Sequence, residues 1–265
     1  MGISAALIRK LKNTPGGIKL DGKSVFVTED VVCGQEIELT FYDGNSQSIE
    51  PKDIPLSIIY EDEDIIVLNK PRSMPTHPSQ RHYDDTLANG VMYYFKDRNF
   101  TFRAITRLDR DTSGLVLVAK NAFAAQRLGD DMKDKKIHKE YIAAVNGVPS
   151  PESGRISAPI KRVEKSTILR LVAPDGKEAI TDYEVIKTKN NISLVRLYPL
   201  TGRTHQLRVH MSHIGTPIYG DDMYGAEQMN EQTRLHCISL SFTHPISRKE
   251  LTLSAPIPND INEMF

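Results

Sequence analysis

Thr106-Arg107-Leu108-Asp109-Arg110-Asp111-Thr112-Ser113-Gly114 runs straight into Leu115-Val116-Leu117-Val118-Ala119, and the architecture can be worked out from this point. The second part is a β-branched apolar run, which reads as a short buried strand, and Gly114 supplies the turn that enters it. Asp109 then sits on a loop at the mouth of a strand, where a rigid core aims a side chain at a ligand. An arginine stands near it on either side, and two cations favour an ionised carboxylate, as a nucleophile or cation-stabiliser requires. Taken alone, an Arg-x-Asp is more often a surface ion-pair cluster.

Composition bounds the alternatives. The 265 residues hold one large domain or a catalytic domain with a small appendage. The 34 basic and 34 acidic residues balance, so any nucleic acid must be held by local patches. Cys33 and Cys237 have no paired spacing, which fits a reducing compartment without a disulfide framework. With no spanning apolar run and no secretory signal, a soluble cytoplasmic protein is expected, without a membrane partner.

Upstream of the central stretch, Ser4 to Lys12 reads as a helix with Arg9, Lys10 and Lys12 on its polar face. Short strands follow at Ile18–Leu20, Val25–Val27 and Glu36–Phe41. The turn-rich stretch Asp43 to Ser48, followed by Pro51 and Pro55, reads as a linker. Ser57–Tyr60 and Asp64–Asn69 read as a hairpin, and Asp84-Asp85-Thr86 as the start of a helix to about Phe95. Downstream, Asn121 caps a helix over Ala122–Asp134, and a strand runs through Lys139 and Tyr141 to Val145. Ser150–Gly154 reads as a surface loop. Glu178–Thr188 and Ile192–Tyr198 form a hairpin about Asn190-Asn191. A helix spans Thr204 to about Ile214, with Arg208 one turn on from Thr204 and His205. The last strands are Leu235–Phe242 and Leu251–Ser254.

Three chemistries can be weighed from residues alone. His205, His210 and His213 lack a completing ligand or an H-E-x-x-H pattern, so no metal site is expected. There is no P-loop and no G-x-G-x-x-G, so no nucleotide cofactor is expected; no cofactor is expected at all. Asp109 with Asp111 permits a glycosidase, but the chain has no Trp platform, and flanking cations lower the pKa that a general acid must keep high.

The Arg-Leu-Asp and Thr-Ser-Gly parts of the central stretch resemble the signature loop of the RluA family of pseudouridine synthases, with Thr106 where the family usually has His. Lys139-Glu140-Tyr141-Ile142-Ala143-Ala144-Val145 resembles its second signature, and Thr201-Gly202-Arg203-Thr204-His205-Gln206-Leu207-Arg208-Val209-His210-Met211 its third. Asn69-Lys70-Pro71 with the trailing His77-Pro78 resembles its lysine-proline loop, and Tyr219 to Gly225 its Gly-Asp-x-x-Tyr loop. The resemblance is to the type acting on the large ribosomal subunit and covers about Ser57 to Pro256.

It implies a mixed α+β catalytic domain around a long, largely antiparallel sheet with a central cleft, over residues 57–265. It implies an isomerase that turns uridines of structured RNA into pseudouridine, with ribosomal RNA as the expected partner and transfer RNA as the alternative. By resemblance Asp109 is the catalytic carboxylate, Tyr141 stacks on the flipped base and Arg208 pairs with Asp109. Arg107, Lys70, His77, Arg203, His205 and Gln206 are substrate-binding candidates, and a monomer is expected. Residues 1–45 resemble part of the small RNA-binding module of a small-subunit ribosomal protein (ribosomal-S-four-like), with 46–56 as linker; a packing appendage is an equal reading. The rival from another class is a catalytically silent RNA-binding protein of the same fold.

Overall fold

A computed structural model of the chain describes residues 5–40, 49–164, 166, 168–225 and 232–265. The expected turn-rich stretch at 43–48 lies outside the described residues, as does Phe41 at the end of an expected strand.

The N-terminal segment holds helix α1 (Ala5–Lys12) and a small sheet ordered β2 (Lys23–Ser24), β1 (Ile18–Leu20), β3 (Ile37–Leu39). The expected strand at Val25–Val27 does not form. Phe26 is 76% exposed there, because β-propensity without a neighbouring strand to pair with does not hold a strand.

The rest is built on a ten-stranded sheet. Its strands are β4 (Ile58–Glu61), β5 (Ile65–Lys70), β6 (Arg103–Ala104), β7 (Ser113–Ala119), β8 (His138–Asn146), β9 (Ser153–Ser157), β12 (Ile180–Lys189), β13 (Ile192–Pro199), β14 (Leu235–Thr243) and β15 (Glu250–Ser254). A separate hairpin, β10 (Ile160–Arg162) and β11 (Arg170–Val172), projects between β9 and β12. The main path runs β4-β5-β7-β14-β8-β13-β12-β9, with β15 beside β14 and β6 beside β7. Its pairings are antiparallel except one: β14 meets β7 in parallel, through His236 against Ser113 and Cys237 against Gly114. β9 takes over the last two residues of the expected loop at Ser150–Gly154.

Sequence pattern explains which strands are central. In β7 every residue is buried, and in β5 only Asn69 is not, so both are continuous apolar runs covered on two faces. β12 and β13 alternate instead, with Tyr183, Val195 and Leu197 inward. Asn190 and Asn191 both have positive φ, 52° and 58°, the geometry of a two-residue hairpin turn matched to strand twist. Each fully buried Ile or Leu of β5 and β7 contributes about 1.5–3 kcal/mol, which makes this the rigid part of the molecule.

The helices cover the sheet. α2 (Leu87–Tyr94) starts at Thr86, whose side chain and Asn89 form a reciprocal capping box. α3 (Ala122–Lys133) is capped by Asn121, and Ala124 and Leu128 point inward one turn apart. α4 (Gln206–His213) is shorter than expected, because His205 adopts a left-handed conformation that blocks an earlier start. The short α5 (Asn259–Asn262) follows the Pro-rich end of β15. No helix among the described residues is long and apolar enough to cross a membrane.

Candidate active site

The loop before β7 is braced from behind. Thr76 Oγ1 donates to the Leu108 carbonyl at 2.9 Å and accepts from the Leu108 N–H at 3.2 Å, clamping the residue before Asp109. Thr106 accepts the Leu117 N–H at 2.9 Å and is buried, so this residue fastens the loop to the strand it feeds. The Asp109 carbonyl accepts from Thr112 N–H and closes the turn. Gly114 has φ +110°, and a Cβ there would sit 2.2 Å from the Cys237 carbonyl oxygen, so only glycine allows β14 to approach. Behind these, Ser113 Oγ lies 2.8 Å from His236 Nδ1, and burial pushes the His236 pKa down to about 4.

Lys70 belongs to the same brace. It is fully buried, and its ammonium donates to the carbonyls of Pro71, Met74 and Arg110 at 2.8, 2.7 and 3.1 Å. Burial draws its pKa down to about 7 against the charges of Asp109 and Asp111. The three acceptors match the three N–H groups of the charged form. Lys70 is therefore a clasp beneath the loop, with no N–H left for a substrate.

The cleft in front is an open groove of ≈ 450 Å³, lined by Arg107, Asp109, Lys139, Tyr141, Arg203, His205 and Arg208 among others. All three signature stretches meet there. Tyr141 comes from β8, 5% exposed, and burial raises its pKa well above the usual tyrosine value, so the phenol stays protonated. Lys139 lies two residues earlier on the same strand face, and burial lowers its pKa. A larger concavity of ≈ 1340 Å³ lies behind the loop, lined by Lys70, Arg72, Ser113, His236 and the Pro256–Asn259 segment. It holds neither Asp109, Tyr141 nor Arg208, which the smaller cleft brings together.

Several expected contacts differ. Arg208 does not pair with Asp109: its Nε and Nη2 go to the two oxygens of Asp221, each at 2.7 Å, with both side chains buried. Its guanidinium also stacks over the Tyr224 ring at 5.1 Å. The cations flanking Asp109 in sequence do not bracket it in space. Arg110 turns to Asp111 at 3.0 Å, and Arg107 is exposed at the cleft rim. The group facing Asp109 is His205, whose Nε2 stands 4.0 Å from Oδ1.

The remaining candidates separate. Gln206 spends its amide inside the protein, accepting from Thr201 and the Arg203 N–H and donating to Ile180 and Thr181, so it braces α4 instead of reaching outward. Arg203 is exposed at the rim, with Nε on the Glu178 carbonyl. His77 is exposed beside Phe102 and does not line the cleft. His210 has both ring nitrogens occupied, by Thr181 and the Ala158 carbonyl. The one group with metal-ligand proximity among the described residues is Asp62, Asp64 and His244. There His244 Nδ1 accepts from two backbone N–H groups, so Nε2 carries a proton toward Asp62 and offers no lone pair. Asp221, Tyr224, Thr76 and Lys139 were not named as site residues from sequence; the Tyr219–Gly225 stretch was the available signal for the first two.

A signature loop at the mouth of a buried strand, a strand tyrosine and a buried arginine, all meeting in the middle of a mixed sheet, define a family. The profile described as RNA pseudouridylate synthase matches residues 64–213, and the chain belongs to that family of isomerases. It is 36% identical to the uncharacterized RNA pseudouridine synthase YjbO of Bacillus subtilis (strain 168), over 100% of this chain and 95% of that protein. It is 37% identical to ribosomal large subunit pseudouridine synthase D of Vibrio parahaemolyticus, over 94% of this chain and 82% of that one. Among solved structures it resembles human RNA pseudouridylate synthase domain containing 1, with a TM-score of 0.66 and 30% identity over 78% of this chain and 86% of that one.

Proposed function

We propose that this protein isomerises uridines of large-subunit ribosomal RNA to pseudouridine, with Asp109 as the catalytic carboxylate. The observation that carries the reading is that Asp109, Tyr141 and Arg208, distant in sequence, line one cleft. The reaction breaks the C1′–N1 bond, turns the held uracil and rejoins it through C5; the C5 proton leaves and N1 takes one up. It needs an anion at the sugar, a grip on the detached ring and a base drawn out of its stack. Asp109 supplies the anion whether it attacks C1′ or takes a sugar proton. Tyr141 supplies the stacking surface. Arg208, held by Asp221, places a fixed positive charge in the wall that faces them. Arg107 and Arg203 at the rim suit phosphates, one terminal segment carries a basic helix, and several relatives are named for the large ribosomal subunit. We propose further that it acts as a monomer in the cytoplasm.

The test is tritium release from C5-labelled uridine in large-subunit RNA, with pseudouridine mapping in cells lacking the protein. Loss of sites in that RNA is expected. Loss confined to transfer RNA would redirect the substrate, and no release from any RNA would leave a silent RNA-binding protein.

A further inference from the structure

The Tyr219–Gly225 stretch does more than carry the partner of Arg208. Asp221 Oδ1 also accepts the N–H groups of Met223 and Tyr224, both at 3.1 Å, and Ser212 Oγ donates to the Tyr224 carbonyl at 2.8 Å. Tyr224 is thereby fixed against α4. Its phenol oxygen lies 2.7 Å from His205 Nδ1 and accepts the Arg170 N–H at 3.1 Å. Burial raises the Tyr224 pKa, so the phenol keeps its proton, and among the described contacts His205 Nδ1 is the acceptor within its reach. A ring nitrogen that accepts leaves the proton on the other one. Burial also lowers the His205 pKa, against the raising influence of Asp109, which favours a neutral ring. His205 has φ 56°, a left-handed conformation uncommon for non-glycine residues, and it turns Nε2 toward the cleft.

We propose that Tyr224 is a positioning residue for the reaction: its O–H fixes His205 with the proton on Nε2, so that this N–H is presented to the Asp109 carboxylate. The role of Asp109 is that of the function proposed above. The gap of 4.0 Å from Nε2 to Oδ1 exceeds a hydrogen bond. Catalytic hydrogen bonds are often long in the free enzyme and tighten in the substrate complex. Arg208 is committed to Asp221 through two bonds, and His205 is the helix-wall group recorded within 4.0 Å of Asp109, while Lys139 lines the cleft from β8.

Two measurements test this. Nitrogen NMR of histidine-labelled free protein reads the tautomer directly and does not depend on turnover. The expected result is a protonated Nε2 and a bare Nδ1 for His205, with both signals moving toward the tautomer average in Tyr224→Phe. In that variant kcat should fall about tenfold with KM and RNA affinity unchanged, because a misplaced catalytic group costs the reacting geometry and not the binding. The second measurement compares His205→Gln with His205→Asn. Gln places an amide N–H near the Nε2 position and should keep activity within about tenfold, whereas Asn reaches only the Nδ1 position and should lose about 100-fold. Asn tolerates the left-handed backbone better, so a purely conformational role predicts the opposite order. A protonated Nδ1 in the wild type, a Tyr224→Phe variant with unchanged tautomer and kcat, or Asn matching or exceeding Gln would overturn the proposal. If the wild type released no tritium from any RNA, the proposed function would fail, while the tautomer result would still decide the geometry.

Discussion

The loop that carries Asp109 and the helix that carries Arg208 form two walls of one cleft, and they hold their charges in opposite ways. The loop is fixed through its backbone: Thr76, Thr106 and Lys70 bond main-chain groups, and among the described residues no lysine or arginine is paired with the Asp109 carboxylate. The helix is fixed through its side chains: Arg208 holds Asp221 through two bonds, and Gln206 and His210 spend their polar atoms on neighbours inside the protein. The lesson is that attraction across the cleft does not assemble the site. Each wall is organised by itself, and the space between stays open to a flipped base.

The largest effect should come from Asp109, whose carboxylate has no partner within hydrogen-bond distance among the described residues. Asp109→Asn should reduce tritium release by about 10⁴-fold. Melting temperature and RNA affinity should stay near wild type, since binding rests on dispersed phosphate and stacking contacts. Substantial release from a preparation free of deamidation would move the catalytic role to another carboxylate.

Asp221→Asn should do the reverse. It leaves the Arg208 guanidinium buried beside an uncharged amide, and breaking a buried pair in this way costs about 3–5 kcal/mol. Urea unfolding of both variants tests the contrast directly. Equal stabilities for Asp109→Asn and Asp221→Asn would mean that the two walls are not differently built.

The loop wall has its own acid sensitivity. His236 is buried with a pKa of about 4, against 6.5 in the unfolded chain. Above pH 6.5 both states are neutral and no stability is lost. Between pH 6.5 and about 4 the unfolded chain takes a proton that the folded one refuses, so stability falls as pH falls, by up to about 3 kcal/mol. His236→Asn keeps an acceptor for Ser113 and should flatten this part of the stability–pH curve. An unchanged slope would place the titration elsewhere, with His205 and His210 on the helix wall next, as burial lowers both.

The smallest effect should come from outside the cleft. Replacing the exposed Arg9, Lys10 and Lys12 of α1 with Gln should weaken RNA binding modestly and reduce the salt slope by about 0.7–0.9 per lost phosphate contact. Turnover on a minimal stem-loop should not change. An unaltered slope would make the N-terminal segment a packing appendage.

What the sequence determined by itself was local. Asn121 as a cap, Asn190-Asn191 as a turn, β7 as an unbroken apolar run and β12 with β13 as alternating strands are readable because each depends on neighbours a few residues away. The signature stretches named the family and brought Asp109, Tyr141 and Arg208 forward together. What only the tertiary structure decided were partners. β14 comes from the end of the chain and enters between β7 and β8, and that insertion makes Gly114 indispensable. Lys70 and Gln206 look like ligand-facing polar residues in sequence. Burial turned them into braces, because a buried donor must find acceptors wherever the fold supplies them. Arg208 was expected to meet Asp109 and met Asp221 instead. A guanidinium fork takes the carboxylate whose backbone holds it in the fork's plane, and no spacing in the sequence records that geometry.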